Sequence, residues 1–324
     1  MSHIDDILTQ KDNLKFVAKA MKQPLLSVEQ EKKITNLWSK RKDIKSLHVL
    51  INSYEKLVIS NAIKFKRFGL PFGDLVQEGN IGILKAAYKL GKLLRNQDFY
   101  RVYDLQTSDR TAIIYHLLSL FYKVDWCGSA SGCSHYHDNP KRDLMHTLER
   151  QAEQLSLASV TNVPPPNLNN IRPEGQKFIL PEPYVLLAPG GSLHRPEKRW
   201  PKRNYAKLAK RLLIRGITPV VIGGSAETQI GSAITAYCPG AKDLTTKTSM
   251  IDIIALARQA AGAVGNDTGP MHVIATSGTP SLAIYSHASD PAICGQRGSN
   301  VSIIRQQSLK NLSVDEVEAS LQLR

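Results

Sequence analysis

The chain has 324 residues, 42% hydrophobic and 22% charged, with a formal net charge of +14, which allows two or three domains with real cores. No apolar run approaches the roughly 18 residues of a membrane-crossing helix, and the opening MSHIDDILTQ lacks the basic start and apolar stretch of a signal peptide, so neither a span nor secretion is expected and a cytoplasmic location is. Residues 1–95 hold 18 Lys+Arg against 9 Asp+Glu, a basic excess that fits either an acidic partner or a solvated lysine-rich helical surface.

The first ninety residues read as helical. Ser27-Val28-Glu29-Gln30 forms a capping box, and Pro24 keeps the preceding residues out of that helix. Leu47, Leu50, Ile51, Tyr54, Leu57 and Val58 recur at three- and four-residue spacing and give one apolar face. Gly69-Leu70-Pro71 breaks the pattern. Asp74 opens a further helix to Leu90, with Leu75, Val76, Ile81, Ile83 and Leu84 expected to pack and Gln77, Glu78 and Asn80 polar. By physics alone this is a small helical bundle.

Two stretches of it, LLSVEQEKKITNLW and NSYEKLVISNAIKFKRFGLPFGDLVQEGNIGILKAAYKL, are similar to the opening conserved regions of heat-shock-type sigma factors. The resemblance implies docking on core RNA polymerase, with Asp74, Gln77, Glu78 and Asn80 as the contacting residues. The bland alternative is that these side chains only cap and solvate a helix. Beyond residue 90 the chain departs from that pattern. GKLLRNQDFYRVYDLQTS stands where a basic aromatic helix would capture flipped promoter bases, and no helix-turn-helix follows. Direct promoter DNA binding is therefore not expected.

In the middle, residues 101–105 predict a short strand, and Gln106, Thr107 and Ser108 a turn into a helix from Asp109 that buries Ile113, Ile114, Leu117 and Leu118. Cys127, Cys133, His135 and His137 raise the question of zinc, but C-x5-C-x-H-x-H is not a zinc spacing, and Gly128 and Gly132 make the segment a loop. No metal is expected. All four cysteines, with Cys238 and Cys294, read as free thiols.

After the extended Val163-Pro164-Pro165-Pro166 linker, strands alternate with helices, the pattern of a parallel sheet. Strands are expected at 184–188, 218–222, 262–265, 281–285 and 301–305. Helices are expected at 202–215 (stopped by Gly216), after Glu227, at 252–259, and after a Ser313 capping box. Loops at three strand ends carry PGGS, GGSAE and NDTGPMH, where open α/β sheets bind ligands. Their glycines let backbone N–H groups reach phosphate oxygens, Lys198 and Arg199 supply positive charge, and Asp267-Thr268-Gly269 opens a helix whose N-terminus favours an anion.

In order and spacing, APGGSLHRPEKRWP, VVIGGSAE, GNDTGPMHVIA and GTPSLAIYS resemble the lipopolysaccharide heptosyltransferases, as do DLQTSDRTAIIYHLL and the segment after it. The resemblance implies a GT-B glycosyltransferase that moves heptose from ADP-heptose to a lipopolysaccharide core sugar without a metal cofactor. Peripheral contact with the inner membrane is compatible with that acceptor. Ser192, Lys198, Glu227, Asp267, Thr268, Gly269 and His272 would bind the donor: Lys198 on the phosphates, Glu227 on the ribose, and Asp267, Thr268 and Gly269 on the diphosphate and heptose. The plain alternative is that Asp267 and Thr268 cap a helix and that His272 is a satisfied core histidine.

The fold class expected is therefore α/β in three parts. Residues 1–95 are a sigma-factor-like helical segment, 96–163 a truncated acceptor-side Rossmann-like half, and 164–324 a complete nucleotide-sugar-binding Rossmann-like domain. The family's first strand and loop, with the aspartate that serves as general base, have no counterpart. Asp104 and Asp109 are the nearest carboxylates, and no catalytic residue is assigned. Residues 96–160 are expected to be the least stable part. Three activities stand open: heptose transfer, donor binding without turnover, and docking on core RNA polymerase.

Overall fold

The computed structural model describes residues 7–22, positions 30, 33, 34, 37, 45 and 49, and residues 55–65, 71–97, 99–119, 121–173, 177–192 and 194–324. The box at Ser27, Pro24, the Gly69-Leu70 break, and Leu47, Leu50, Ile51 and Tyr54 of the expected apolar face lie outside them. The chain divides into two compact units, residues 1–142 with 148–163, and residues 143–147 with 164–324.

The first unit begins with helices α1 (Ile7–Lys22), α2 (Glu55–Phe65) and α3 (Phe72–Asn96). Ala20, Val58, Ile59, Ala62, Phe72 and Val76 form their shared core, with Val17 and Leu75 packed beside it. Helix α3 differs from expectation at both ends. It starts at Phe72 behind Pro71, whose fixed φ suits a helix start, and it runs six residues beyond Leu90. Ile81, expected to pack, is exposed, because it shares a helix face with Asp74, Gln77 and Glu78.

Next come β1 (Arg101–Tyr103), α4 (Asp109–Ser119), β2 (Asp125–Gly128), β3 (His135–Tyr136) and α5 (Thr147–Ser156). The three strands pair in parallel in the order β1-β2-β3. Strand β1 stops two residues short of Leu105, which is exposed. The backbone turns there because buried Asp104 accepts the Thr107 amide N–H at 2.9 Å, with Thr107 in the left-handed region at φ 47. Ile113, Leu117 and Leu118 of α4 are buried as expected, and Ile114 is half-buried. Gln154 fastens α5 to the sheet: its side-chain amide nitrogen donates to the Asp104 carbonyl at 2.8 Å, while its main-chain carbonyl accepts the Cys127 thiol at 3.2 Å.

The second unit is a six-stranded parallel sheet. In chain order its strands are β4 (Tyr184–Ala188), β5 (Thr218–Val221), β6 (Lys242–Asp243), β7 (Gly262–Asn266), β8 (Ser281–Tyr285) and β9 (Val301–Arg305). Their order in space is β6-β5-β4-β7-β8-β9. The order reverses between β4 and β7, the doubly wound arrangement whose switch point opens a crevice at the strand C-termini. Strands β4, β7 and β8 are buried throughout, as a central parallel sheet requires. The crossover helices are α6 (Lys202–Ile214), α7 (Thr228–Tyr237), α8 (Met250–Gln259) and α9 (Gly269–Thr276), followed by the short α10 (Pro291–Cys294) and by α11 (Val314–Ser320). Gly216 stops α6 at φ 75, and Ser313 with Glu316 forms the expected capping box. Helix α8 starts two residues earlier than expected, because Ser249 caps it and Asp252 closes the box.

One apolar layer lies on each face of the sheet. Val185, Leu187, Leu208, Leu212, Val264 and Ile284 fill one, and Leu186, Val220, Ile253, Leu256, Met271 and Ile274 fill the other. Successive residues of β4 alternate between the two layers, the period of a strand buried on both sides. Among the described residues no helix is long and apolar enough to cross a membrane.

Candidate functional site

The loops after β4, β5 and β7 meet at the switch point around a cavity of about 470 Å³. Gly190, Gly191 and Ser192 form one wall, Gly223, Gly224 and Glu227 a second, and Asp267, Thr268, Gly269 and Pro270 a third. Five of the expected donor residues therefore share one cavity: Ser192, Glu227, Asp267, Thr268 and Gly269. All five lie within the second unit.

Buried Asn266, the last residue of β7, ties two of these loops together. Its amide nitrogen donates to the carbonyls of Pro189 at 2.9 Å and Gly190 at 2.8 Å. Its amide oxygen accepts the Trp200 backbone N–H and the Tyr205 hydroxyl, both at 3.0 Å. Every hydrogen-bonding capacity of a buried amide is used. Neither Asn266 nor Trp200 stood out among the sequence candidates. The signal available was an Asn at the end of an apolar strand, next to Asp267.

Glu227 sits where close approach is needed. A β-carbon at Gly223 would stand 2.6 Å from the Glu227 Cβ, and one at Gly190 would stand 3.0 Å from its carboxyl carbon. Its Oε2 accepts the Gly224 N–H at 2.9 Å, so the carboxylate is braced by its own loop and lies at the cavity wall.

Lys198 reaches the site through Asp267, with Nζ 2.8 Å from Oδ2. Both side chains are mostly buried, at 14% and 11% exposure. Removing one partner of such a pair leaves a poorly solvated charge, at a cost of about 3–5 kcal/mol. The other Asp267 oxygen lies 3.2 Å from the Tyr285 hydroxyl and 4.0 Å from His272 Nε2. His272 itself is not part of the cavity wall; it stands one helical turn along α9, 45% exposed. Burial lowers its pKa, and nearby His146 adds to that, against the opposing pull of Asp267. Thr268 occupies the N-cap position of α9 without a side-chain cap bond, so it does not serve as a capping residue, and its hydroxyl has no partner among the described residues.

The cysteine and histidine group of the first unit is not one loop. Cys127 lies in β2 and His135 in β3, with only residues 129–134 between the strands. The four side chains also take separate partners. The Cys127 thiol donates to the Gln154 carbonyl and the Cys133 thiol to the Gly128 carbonyl. His135 faces Asp125 and His137 faces Glu153. Among the described residues no group of three or more His, Cys, Asp or Glu converges as a metal cage. On α3, Asp74, Gln77 and Glu78 are exposed along one face; Asn80 is half-buried and off that face.

Residues 87–321 match the model of glycosyltransferase family 9 (heptosyltransferase). The chain belongs to that family. Lipooligosaccharide heptosyltransferase 2 of Haemophilus influenzae is 25% identical over 228 residues, 64% of this chain and 65% of that protein. This chain thus spans just under two thirds of that relative's length. The structure of E. coli ADP-heptose LPS heptosyltransferase II superposes with a TM-score of 0.59 at 24% identity, covering 72% of this chain and 79% of that one. A 75-residue stretch is 29% identical to RNA polymerase sigma factor RpoH of Caulobacter vibrioides, 23% of this chain and 25% of that protein.

Proposed function

We propose that the second unit binds a nucleotide-activated heptose, ADP-heptose, and that the chain belongs to the transfer of that sugar onto a lipopolysaccharide core. The observation that carries this reading is the cavity at the switch point, walled by two glycine loops and the start of α9, with the Lys198–Asp267 pair behind it. Backbone N–H groups of Gly191 and Gly269 would face the diphosphate, Lys198 would balance its charge, and Glu227 would accept from the ribose hydroxyls. Asp267 and Thr268 would hold the heptose side, and His272 would flank the diphosphate. The names of the relatives support the choice of donor and acceptor.

Turnover requires a base at the acceptor hydroxyl. We place none on this chain. Asp104 is buried and spends one oxygen on the Thr107 N–H. The acceptor-side half, with three short strands, is read as truncated, with the sigma-like helices in place of its opening section. The activity proposed for the chain is therefore donor binding first and transfer second. Calorimetric titration with ADP and ADP-heptose tests it: binding lost in Lys198→Ala and Asp267→Ala supports a working donor site, and no binding by the folded wild-type chain sinks it.

A second reading rests on the RpoH-like stretch and on the exposed face of Asp74, Gln77 and Glu78. It takes the helical segment to dock on core RNA polymerase without promoter recognition. Capture of purified core polymerase, abolished by changing Gln77 and Glu78 to Ala, would support it; no capture by the intact chain would remove it.

A further inference from the structure

Tyr285 ends β8, and its buried hydroxyl reaches three acceptors: Asp267 Oδ1 at 3.2 Å, the Cys294 carbonyl at 3.2 Å and the Gln296 side-chain oxygen at 2.8 Å. A phenol has one proton to give. Burial, with Asp267 alongside, pushes the Tyr285 hydroxyl far above the ordinary tyrosine range, so the proton stays on. The hydroxyl therefore serves one acceptor at a time, and the distances favour Gln296.

Gln296 is 96% buried, being only 4% exposed, and its amide nitrogen has no hydrogen-bond partner among the described residues. A buried N–H group without a partner is costly. The two ends of a side-chain amide have nearly the same size, so turning the group over disturbs no packing. Turned, Gln296 donates to the Tyr285 oxygen, and the phenol proton is free to swing to Asp267.

Asp267 needs that proton at one moment. Its one close cation among the described residues, Lys198, lies on Oδ2. A diphosphate in the cavity competes for Lys198 and leaves a carboxylate with 11% exposure beside an anion. The other neighbours of that corner are committed or distant. His146 donates Nε2–H to the Gly295 carbonyl at 2.9 Å, the Cys294 thiol donates to the Asp290 carbonyl at 3.3 Å, and His272 is 4.0 Å away.

We propose that Tyr285 is a positioning residue for Asp267, its proton directed to Gln296 in the free site and to Asp267 when a diphosphate draws Lys198 away. This rests on the donor-site reading above.

The test uses the full chain and the conservative variant Tyr285→Phe. The titratable groups around Asp267 are Lys198, His272, His146, Cys294 and Tyr285 itself. In the free protein, the His272 imidazole is titrated by NMR. Without the phenol, Asp267 Oδ1 settles toward His272, and the His272 titration moves to higher pH; a role in packing alone leaves it where it is. ADP is then titrated by calorimetry at pH 8, above the histidine titration, where Tyr285→Phe is expected to bind about tenfold more weakly, as loss of a hydrogen bond to a charged group implies. Gln296→Leu gives the opposite sign: it removes the competing acceptor and the unpartnered amide, so the His272 titration moves to lower pH and ADP binds more tightly. Unmoved His272 titrations in both variants, or ADP affinities equal to that of the wild type, overturn the proposal. A folded wild-type chain that does not bind ADP overturns the donor-site reading instead, and the His272 titration still decides whether Tyr285 holds Asp267.

Discussion

Gly91 of α3 lies flat against Tyr122: a β-carbon at residue 91 would stand 2.1 Å from the Tyr122 ring. Tyr88 meets Phe121 edge-on at 6.0 Å beside it, and the Arg95 guanidinium lies 5.6 Å over the Tyr122 ring. This contact lies where α3 passes from one apolar cluster to another. The first turns of α3 pack Phe72 and Val76 into the helical core, while its last turns pack Leu90 and Leu94 against Tyr115, Leu118 and Trp126. The family match begins at residue 87, inside the same helix. Glycine in a helix interior costs roughly 1 kcal/mol relative to alanine, so its presence here answers a steric need. Gly91→Ala is expected to destabilise the first unit by about 1–3 kcal/mol through overpacking. In a Tyr122→Ala background the clash is gone and the same change should stabilise by roughly 0.5–1 kcal/mol. Urea unfolding followed through the first unit measures both; a Gly91→Ala effect of the same sign in both backgrounds would exclude the steric account.

Asn266 predicts a sharper loss. Asn266→Asp preserves the shape but turns two donated bonds, to the Pro189 and Gly190 carbonyls, into oxygen-to-oxygen contacts. The site is fully buried. We expect about 3–5 kcal/mol of destabilisation, from a buried charge or unmade bonds. Because Gly190 belongs to the cavity wall, ADP binding should fall with it. Thermal unfolding and ADP titration check the pair. Wild-type ADP affinity in Asn266→Asp would show that the loop keeps its shape without the amide.

Strands β4, β8 and β9 were legible to the residue, because continuous apolar or β-branched runs end abruptly at small or polar loops. Strand β6 was missed: Lys242–Asp243 pairs with β5 through two residues and carries no apolar signal. The start of α8 is legible in Ser249-Met250-Ile251-Asp252, a capping box that lies ahead of the expected start at residue 252. Among the donor candidates, Ser192, Glu227, Asp267, Thr268 and Gly269 share one cavity, and their place beside glycine turns at strand ends is a local signal in the sequence. Lys198 is legible as a positive charge, but its pairing with Asp267, like the places of Asn266 and Tyr285, rests on contacts 69, 77 and 18 residues apart in sequence, which no local pattern reports. Ile81 is apolar and reads as inward-facing in sequence, but the helix phase set by Phe72 and Val76 turns it out.

The strands of the first unit are 3, 4 and 2 residues long, against five residues for four of the six in the second. Short ladders leave few cooperative backbone bonds, and local opening free energy follows. Amide exchange of the intact chain is therefore expected to be faster in residues 101–136 than in β4, β7 and β8, with the latter protected to the level of global unfolding. Equal protection in β1–β3 and β4 would mean that α3, α4 and α5 stabilise the small sheet as fully as the doubly wound one is stabilised by its helices.

His272 gives the site a pH dependence with a definite sign. Its ordinary value of 6.5 is lowered in the folded chain, first by burial and then by the nearby His146, so at neutral pH it is uncharged. A depressed histidine favours the folded state above its ordinary pKa, and that contribution is lost as pH falls through the lowered value. A bound diphosphate reverses the local balance, because an anion near the imidazole favours the protonated form. On the donor-site reading, ADP binding by the wild-type chain then takes up protons below about pH 6.5, and affinity gains relative to His272→Gln as the solution is acidified. The expected signature is two calorimetric pH profiles that coincide at pH 8 and separate toward pH 5.5, with the wild type the tighter binder on the acid side. Parallel profiles across that range would place His272 too far from the phosphates to respond to them, and would leave Lys198 to carry the charge of the donor.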